Sequence, residues 1–372
     1  MSVPSLPATP KRSGGMRTIE AQKVLPVFLT VLLLIAGLVV CDIWLARVAA
    51  RHRIHVGQEL FDRGLVLARE GNHAQALESF RGAFNRSPDN REYQLAFARA
   101  LRANGRERES TETVRDLLER APAHGAANAE MARILAETED WEEAAWFYHR
   151  ALYGEWNGSP DLRLLRFELA DLLAKYNARE QLLSEVLLLE ATGGASMNAR
   201  HMARLQLAAG DWPRAERQYR LLLRQTPGDP GLLVGLARAQ FGAGKYVAAE
   251  RSLQRVVNTG EASAPVKEEL ELAASINQLD PTLRGLSPAE KHRRAHELVS
   301  LLLTTLAGCA PEHAQVTAAV NSLESHTRGR NAYVVLEADL SMLEELWSAR
   351  EEICSGGAYP PKVELLAGQL VK

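Results

Sequence analysis

Small residues return along this chain at a nearly fixed interval. Gly64, Ala98, Ala132, Ala170, Ala203 and Ala237 are separated by 34, 34, 38, 33 and 34 positions. A period of this size belongs to stacked supersecondary units, each too small to bury its apolar face alone. Between the small residues stand helix breakers: Gly71-Asn72, Gly105, Gly210-Asp211 and Gly244-Lys245. Pro88, Pro122 and Pro227 then stop the helix that follows each break. The chain therefore reads as helical hairpins, all-α. With 46% hydrophobic residues but only 6% aromatics, its composition suits closely packed helices rather than sheets.

The hairpins carry an internal pattern. Gly64…Ala76-x3-Phe80…Pro88 sets a small residue, a turn, an Ala-x3-aromatic pair and a proline in order. Ala203…Ala215-x3-Tyr219…Pro227 repeats it, and Ala237…Ala249-x3-Leu253 is a close variant. On these residues the chain resembles the tetratricopeptide repeat (TPR) family. The resemblance implies about six repeats over residues 55–261, with a groove lined by the first helix of each hairpin. The unit at 163–195 is degenerate: Asn177 replaces the turn glycine, Leu182 the small residue, and the proline is missing. Its local geometry is expected to depart from the rest, as is that of the insertion between Tyr153 and Asp161.

Before the repeats lies an apolar run. From Val24 to Val40 every residue is apolar except Thr30, and the run continues to Ala46 with one charge, Asp42. About 20 such residues cross the hydrocarbon core of a bilayer as a helix, and Trp44 stands where an interfacial aromatic belongs. The reading is a transmembrane helix over 24–46 behind a flexible tail over 1–23, which carries Pro4, Pro7, Pro10 and Gly14-Gly15. A cleaved signal peptide fits less well, because no small-x-small site follows. Val40 before Cys41 argues against a lipid-modified cysteine. Lys11, Arg12, Arg17 and Lys23 precede the span, against Arg47, Arg51 and Arg53 behind it. That slight excess places the amino terminus in the cytoplasm and the repeats outside a bacterial inner membrane.

The residues after the six small ones are Leu65, Arg99, Arg133, Asp171, Arg204 and Arg238. The four arginines form an expected ladder on the groove, suited to an acidic peptide or a carboxyl terminus. Trp141, Trp212, Tyr246 and His73 share one turn position and are expected to pack between hairpins. Beyond residue 261 the period fails. Residues 262–287 read as a capping helix, Val266 to Leu279, and a linker; residues 288–372 read as a separate helical module. Helices are expected over 288–307, 311–326 and 331–353, with stripes of Leu298, Leu302, Leu306; Val316, Val320, Leu323; and Leu336, Leu340, Leu343, Trp347. Ser287 and Glu290 form an expected capping box. An up-down-up arrangement brings Cys309 and Cys354 to one end, where a disulfide would require an oxidising compartment.

Catalytic chemistry finds little support. No nucleophile elbow, phosphate-binding loop or paired-cysteine metal spacing occurs. His292 and His296 lie four apart beside Glu290 and Glu297, but without HExxH order or an evident third ligand, so they read as surface histidines. No metal, cofactor or enzymatic activity is expected. A net charge of −2 excludes a broad nucleic-acid surface. The expected function is a membrane-tethered scaffold binding a protein or peptide in cell-envelope assembly, secretion or maintenance. A cytoplasmic adaptor or co-chaperone is the alternative, and a metal-dependent enzyme built on His292 and His296 a third.

Overall fold

The computed structural model describes residues 18–326 and 332–371. It is helical throughout, with no strand among the described residues beyond an isolated bridge from His124 to Glu155. The chain divides into two compact units, one up to Thr138 with Tyr153–Trp156, the other comprising Glu139–Leu152 and everything from Asn157 onward.

The first unit opens on one very long helix. α1 runs Thr18–Arg69 without a break, 52 residues, or about 78 Å at the usual helical rise. Residues 18–23 thus belong to α1, while the rest of the expected tail lies outside the described residues. From Leu29 this helix is long and apolar enough to cross a membrane, and its most apolar stretch is buried by nothing. Its last turns are the first helix of the first hairpin. α2 (His73–Arg86) folds back on it, followed by α3 (Arg91–Ala103), α4 (Glu107–Arg120) and α5 (Gly125–Glu137), each packed on its predecessor. Asn90 starts α3 by accepting from the backbone N–H groups of Glu92 and Tyr93.

The recurring small residue has a direct cause here. A Cβ on Gly64 would come within 2.7 Å of the Phe80 ring, which packs with Ala76, Leu77, Ala100 and Leu101. Only glycine lets α1 and α2 approach so closely. The insertion also has a definite place: Gly125 N–H donates to Glu155 O at 2.7 Å, and Glu155 N–H to Ala123 O at 2.7 Å. Trp156 then covers Gly125 so tightly that a Cβ there would overlap its indole. The extra residues fold onto the start of α5.

The second unit contains α6 (Trp141–Leu152), α7 (Leu162–Lys175), α8 (Arg179–Ala191), the single turn α9 (Gly194–Met197), α10 (Ala199–Ala208), α11 (Trp212–Gln225), α12 (Pro230–Gly242), α13 (Tyr246–Asn258) and α14 (Ala264–Leu279). The hairpin α7–α8, expected to be irregular, turns as the others do. Asn177 takes φ +56°, the left-handed conformation that Gly210 and Gly244 adopt at φ +77° and +70°. Asparagine tolerates that region where most residues do not. Among the turn aromatics, Trp141 stacks on Tyr176 with centroids 5.6 Å apart. Tyr246 meets Phe241 edge-on at 5.0 Å.

α15 (Pro288–Cys309), α16 (Ala314–His326), α17 (Ala332–Ile353) and α18 (Pro361–Leu370) complete this unit. They do not form a core of their own. Tyr246, Ile276 and Leu279 share one apolar cluster with Leu298, Leu302, Leu343, Trp347, Val363 and Leu366. α18, absent from the sequence reading, seals that cluster, and its Gln369 side chain donates to Gly244 O at 3.4 Å. On α17 the buried face is turned from the expected stripe: Val335, Asp339, Met342, Leu343, Leu346 and Trp347 are buried, whereas Leu336 and Leu340 are only partly so. Ser287 caps α15 by accepting from Glu290 N–H. The other half of the expected box is replaced, because the Glu290 carboxylate accepts from Arg293 and Arg294 instead. The hydrogen bonds from those two arginines draw its pKa down to about 2.

Candidate functional site

The arginines on the first helices obey a simple register rule. At four of the six positions the side chain after the small residue meets the one about 31 positions later, on the next first helix. Arg99 donates to Glu130 at 3.1 Å, and Arg238 grips Glu269 with two nitrogens, at 2.7 and 3.0 Å. Asp171 and His201 make the same rung with the charges exchanged, at 2.7 Å. In the first hairpin the rung is apolar, Leu65 and Ala96 joining one cluster.

Of the four arginines of the expected ladder, three meet a carboxylate of the chain itself. Arg99 and Arg133 lie in the first unit, Arg204 and Arg238 in the second. Arg133 approaches Glu130 at 3.5 Å, and Arg102 reaches the same carboxylate at 2.7 Å. Glu130 is buried, which raises its pKa, but the Arg102 hydrogen bond and the charges of Arg102, Arg99 and Arg133 outweigh that. Its carboxyl is held below the ordinary carboxylate value. Arg99 and Arg102 thereby tie α3 to α5, Arg238 ties α12 to α14, and Arg133 pairs within α5.

Arg204 differs. Its rung position, 31 residues on, is Gly235, which has no side chain to offer. The reason is steric: a Cβ on Gly235 would overlap the Tyr219 ring. Exposed Arg204 has no carboxylate partner among the described residues. Burial raises the Tyr219 phenol pKa, and the positive charges of Arg204, Arg238 and Arg200 oppose the rise.

A cavity of about 410 Å³ is lined by Leu207, Trp212, Ala237, Phe241, Gly242 and Leu272, with the Arg238–Glu269 pair at its edge. Leu207 stands three residues after Arg204, on the same side of α10. Trp212 reaches the cavity because Gly242 lets it in, a Cβ there lying 2.6 Å from the indole. Trp212 shares its turn position with Trp141, yet Trp212 faces this cavity whereas Trp141 stacks on Tyr176.

In the last helices Cys309 and Cys354 form a disulfide, with Cα atoms 5.8 Å apart. Cys41 is exposed on α1. His292 and His296 are not the surface pair expected of them. Both turn toward the fully buried Asp339, at 3.3 and 3.5 Å.

A family model described as tetratricopeptide repeat matches residues 67–134 and 199–268. The chain carries tetratricopeptide repeats. Repeats of this family are protein-interaction scaffolds, and most of the cavity lining falls in the second matched stretch, with Glu269 and Leu272 just beyond it. Among solved structures, a tetratricopeptide repeat protein from Parabacteroides merdae is similar at 16% identity, covering 77% of this chain and 98% of its own, with a TM-score of 0.42. YrrB, titled a TPR protein with an unusual peptide-binding site, is similar at 15% identity over 54% of this chain and 98% of its own, TM-score 0.43. PilW, titled a type IV pilus biogenesis factor, is similar at 17% identity over 59% and 98%, TM-score 0.42. No curated protein matches the sequence.

Proposed function

We propose that this chain is a membrane-tethered scaffold whose repeats dock a protein partner through an apolar side chain and a neighbouring carboxylate. The observation that carries the reading is the pairing of the α10–α14 cavity with Arg204. An apolar recess binds a side chain through water release, and an unengaged guanidinium beside it selects a carboxylate in bidentate geometry. An acidic peptide segment or a chain terminus meets both requirements. Arg99, Arg133 and Arg238 support the repeat framework, and Arg204 makes the contact.

Tethering is supported by α1, whose exposed apolar stretch runs directly into the first hairpin. An extracytoplasmic placement of the repeats, on the outer side of a bacterial inner membrane, is supported by the Cys309–Cys354 bond, since such bonds persist in oxidising compartments. The partner process on this reading is cell-envelope assembly, secretion or maintenance.

A photo-cross-linking residue at position 207 of the full-length protein, in its native membranes, tests the docking surface. A discrete adduct is expected at 207, none with the probe at exposed Arg224 on α11, and loss of the adduct on Arg204→Glu. Equal labelling at both positions, or labelling indifferent to Arg204→Glu, refutes it. Protease protection in sealed membranes of known orientation tests the topology separately; repeats shielded on the cytoplasmic side would favour an adaptor facing the cytoplasm.

A further inference from the structure

The amino-terminal halves of α15 and α17 hold three side chains that converge on one point. His292 and His296 stand one turn apart on α15. His292 Nε2 lies 3.3 Å and His296 Nδ1 3.5 Å from the same oxygen, Oδ2 of Asp339 on α17. The three ligating atoms all fall within 4.8 Å of one another. Neither of those imidazole nitrogens makes a hydrogen bond, although both are shielded from solvent. The rings are inclined by 57° with centroids 5.7 Å apart, so they converge rather than stack.

We propose that His292, His296 and Asp339 bind one divalent transition-metal ion of the zinc type. Bonds of about 2.0–2.1 Å to nitrogen or oxygen, arranged tetrahedrally, put neighbouring ligand atoms about 3.3–3.4 Å apart. One separation, 3.3 Å, already has that length and the other, 3.5 Å, is close to it. Two imidazoles and one carboxylate suit zinc or cobalt, while calcium and magnesium prefer all-oxygen cages. The ion also accounts for two solvent-shielded imidazole nitrogens aimed at one carboxylate oxygen, because it satisfies both nitrogens at once. A cavity of about 600 Å³ bordered by His296, Ser300, Thr304 and Glu324 leaves room for water or another ligand at a fourth position.

The site's place in the fold gives it a task. From His292 to Cys309 is 17 residues along α15 and from Asp339 to Cys354 is 15, or about 22–26 Å of helix. α15 and α17 run parallel, joined covalently at their carboxyl ends. The ion would join them at their amino ends. This inference is independent of the docking role proposed above.

The test uses the full-length protein in detergent, prepared without a polyhistidine tag and stripped with chelator. Titration with zinc is expected to give one tight equivalent, and cobalt to give the visible absorption of a four-coordinate N/O site. His296→Asn and Asp339→Asn are each expected to weaken binding at least 100-fold, whereas His313→Asn leaves it unchanged. His292→Asn with His296→Asn is the companion variant should Asp339→Asn fail to fold, its folding checked by circular dichroism and by retention of the Cys309–Cys354 bond. No stoichiometric binding by the native chain, leaving an ion pair only, overturns the proposal. So does binding that survives the double histidine variant.

Discussion

Cutting the Cys309–Cys354 bond isolates one energetic quantity that the structure fixes. The bond closes a separation of 45 residues. In the chain-entropy model that constraint removes about 13 cal/mol/K from the unfolded ensemble, or about 4 kcal/mol at 25 °C. The native geometry gives little back, since Cα atoms 5.8 Å apart sit at the ordinary disulfide spacing. Cys309→Ala with Cys354→Ala is the perturbation, compared with the oxidised protein by urea titration in the presence of chelator. Trp347 lies in the shared apolar cluster, so its fluorescence reports on the affected helices. With a urea slope of about 2 kcal/mol/M, the midpoint of that transition is expected to fall by about 2 M. Thiol reductant should move the wild-type protein to the same place. If peptide mapping confirms an intact bond in the wild type and the midpoint shifts by less than about 0.3 M, the loop-closure reasoning is refuted.

Three further outcomes follow from the packing. Glu130→Gln removes the carboxylate shared by Arg99, Arg102 and Arg133 and is expected to cost about 2 kcal/mol in chemical denaturation, the arginines being partly solvated. Because the folded-state pKa of Glu130 is depressed, its contribution is present above the ordinary carboxylate pKa and is lost as pH falls through the lowered value. The acid limb of the stability profile should therefore flatten in the variant. Gly235→Ala gains about 1 kcal/mol of helix propensity but overlaps the buried Tyr219 ring, with a net loss of about 2 kcal/mol expected; Tyr219→Leu should remove that loss in a double-mutant cycle, and a stabilised single variant would contradict the packing. Asn177→Gly should be neutral or slightly stabilising in thermal melts, whereas Asn177→Val should cost about 1–2 kcal/mol at its left-handed φ.

How far the sequence alone reaches depends on the range of the interaction concerned. The hairpins were legible because each is local: a small residue, a turn and a proline lie within one period. The long apolar stretch of α1 was legible from composition. What stayed hidden depended on contacts between elements. Asn177 looked like a defect because its letter differs from glycine, while its backbone conformation does not. The arginines after the small residues shared a sequence position, yet their fates differ with the residue 31 positions on, a carboxylate for Arg99 and Arg238 but Gly235 for Arg204. The third member of the histidine cluster escaped notice because the stripe on α17 was drawn through Leu336 and Leu340. A rotation of that face by one residue, about 100°, is what buries Asp339. α18 is short and follows a turn-rich stretch, so only its contact with α14, α15 and α17 identifies it.

If α1 anchors the protein as proposed, its uninterrupted course makes angle, as well as distance, a property of the tether. A flexible linker would let the repeats swivel over the bilayer and sample every heading. Here the last turns of the apolar helix and the first packed turns against α2 belong to one rod, so the facing of the first unit is clocked to the anchor. Inserting a single residue between Arg47 and Ile54 would advance the first hairpin by only about 1.5 Å but swing it by about 100°. Inserting seven would lift it by about 10 Å and nearly restore its heading. A partner fixed in the same membrane would tolerate the longer insertion better than the shorter one.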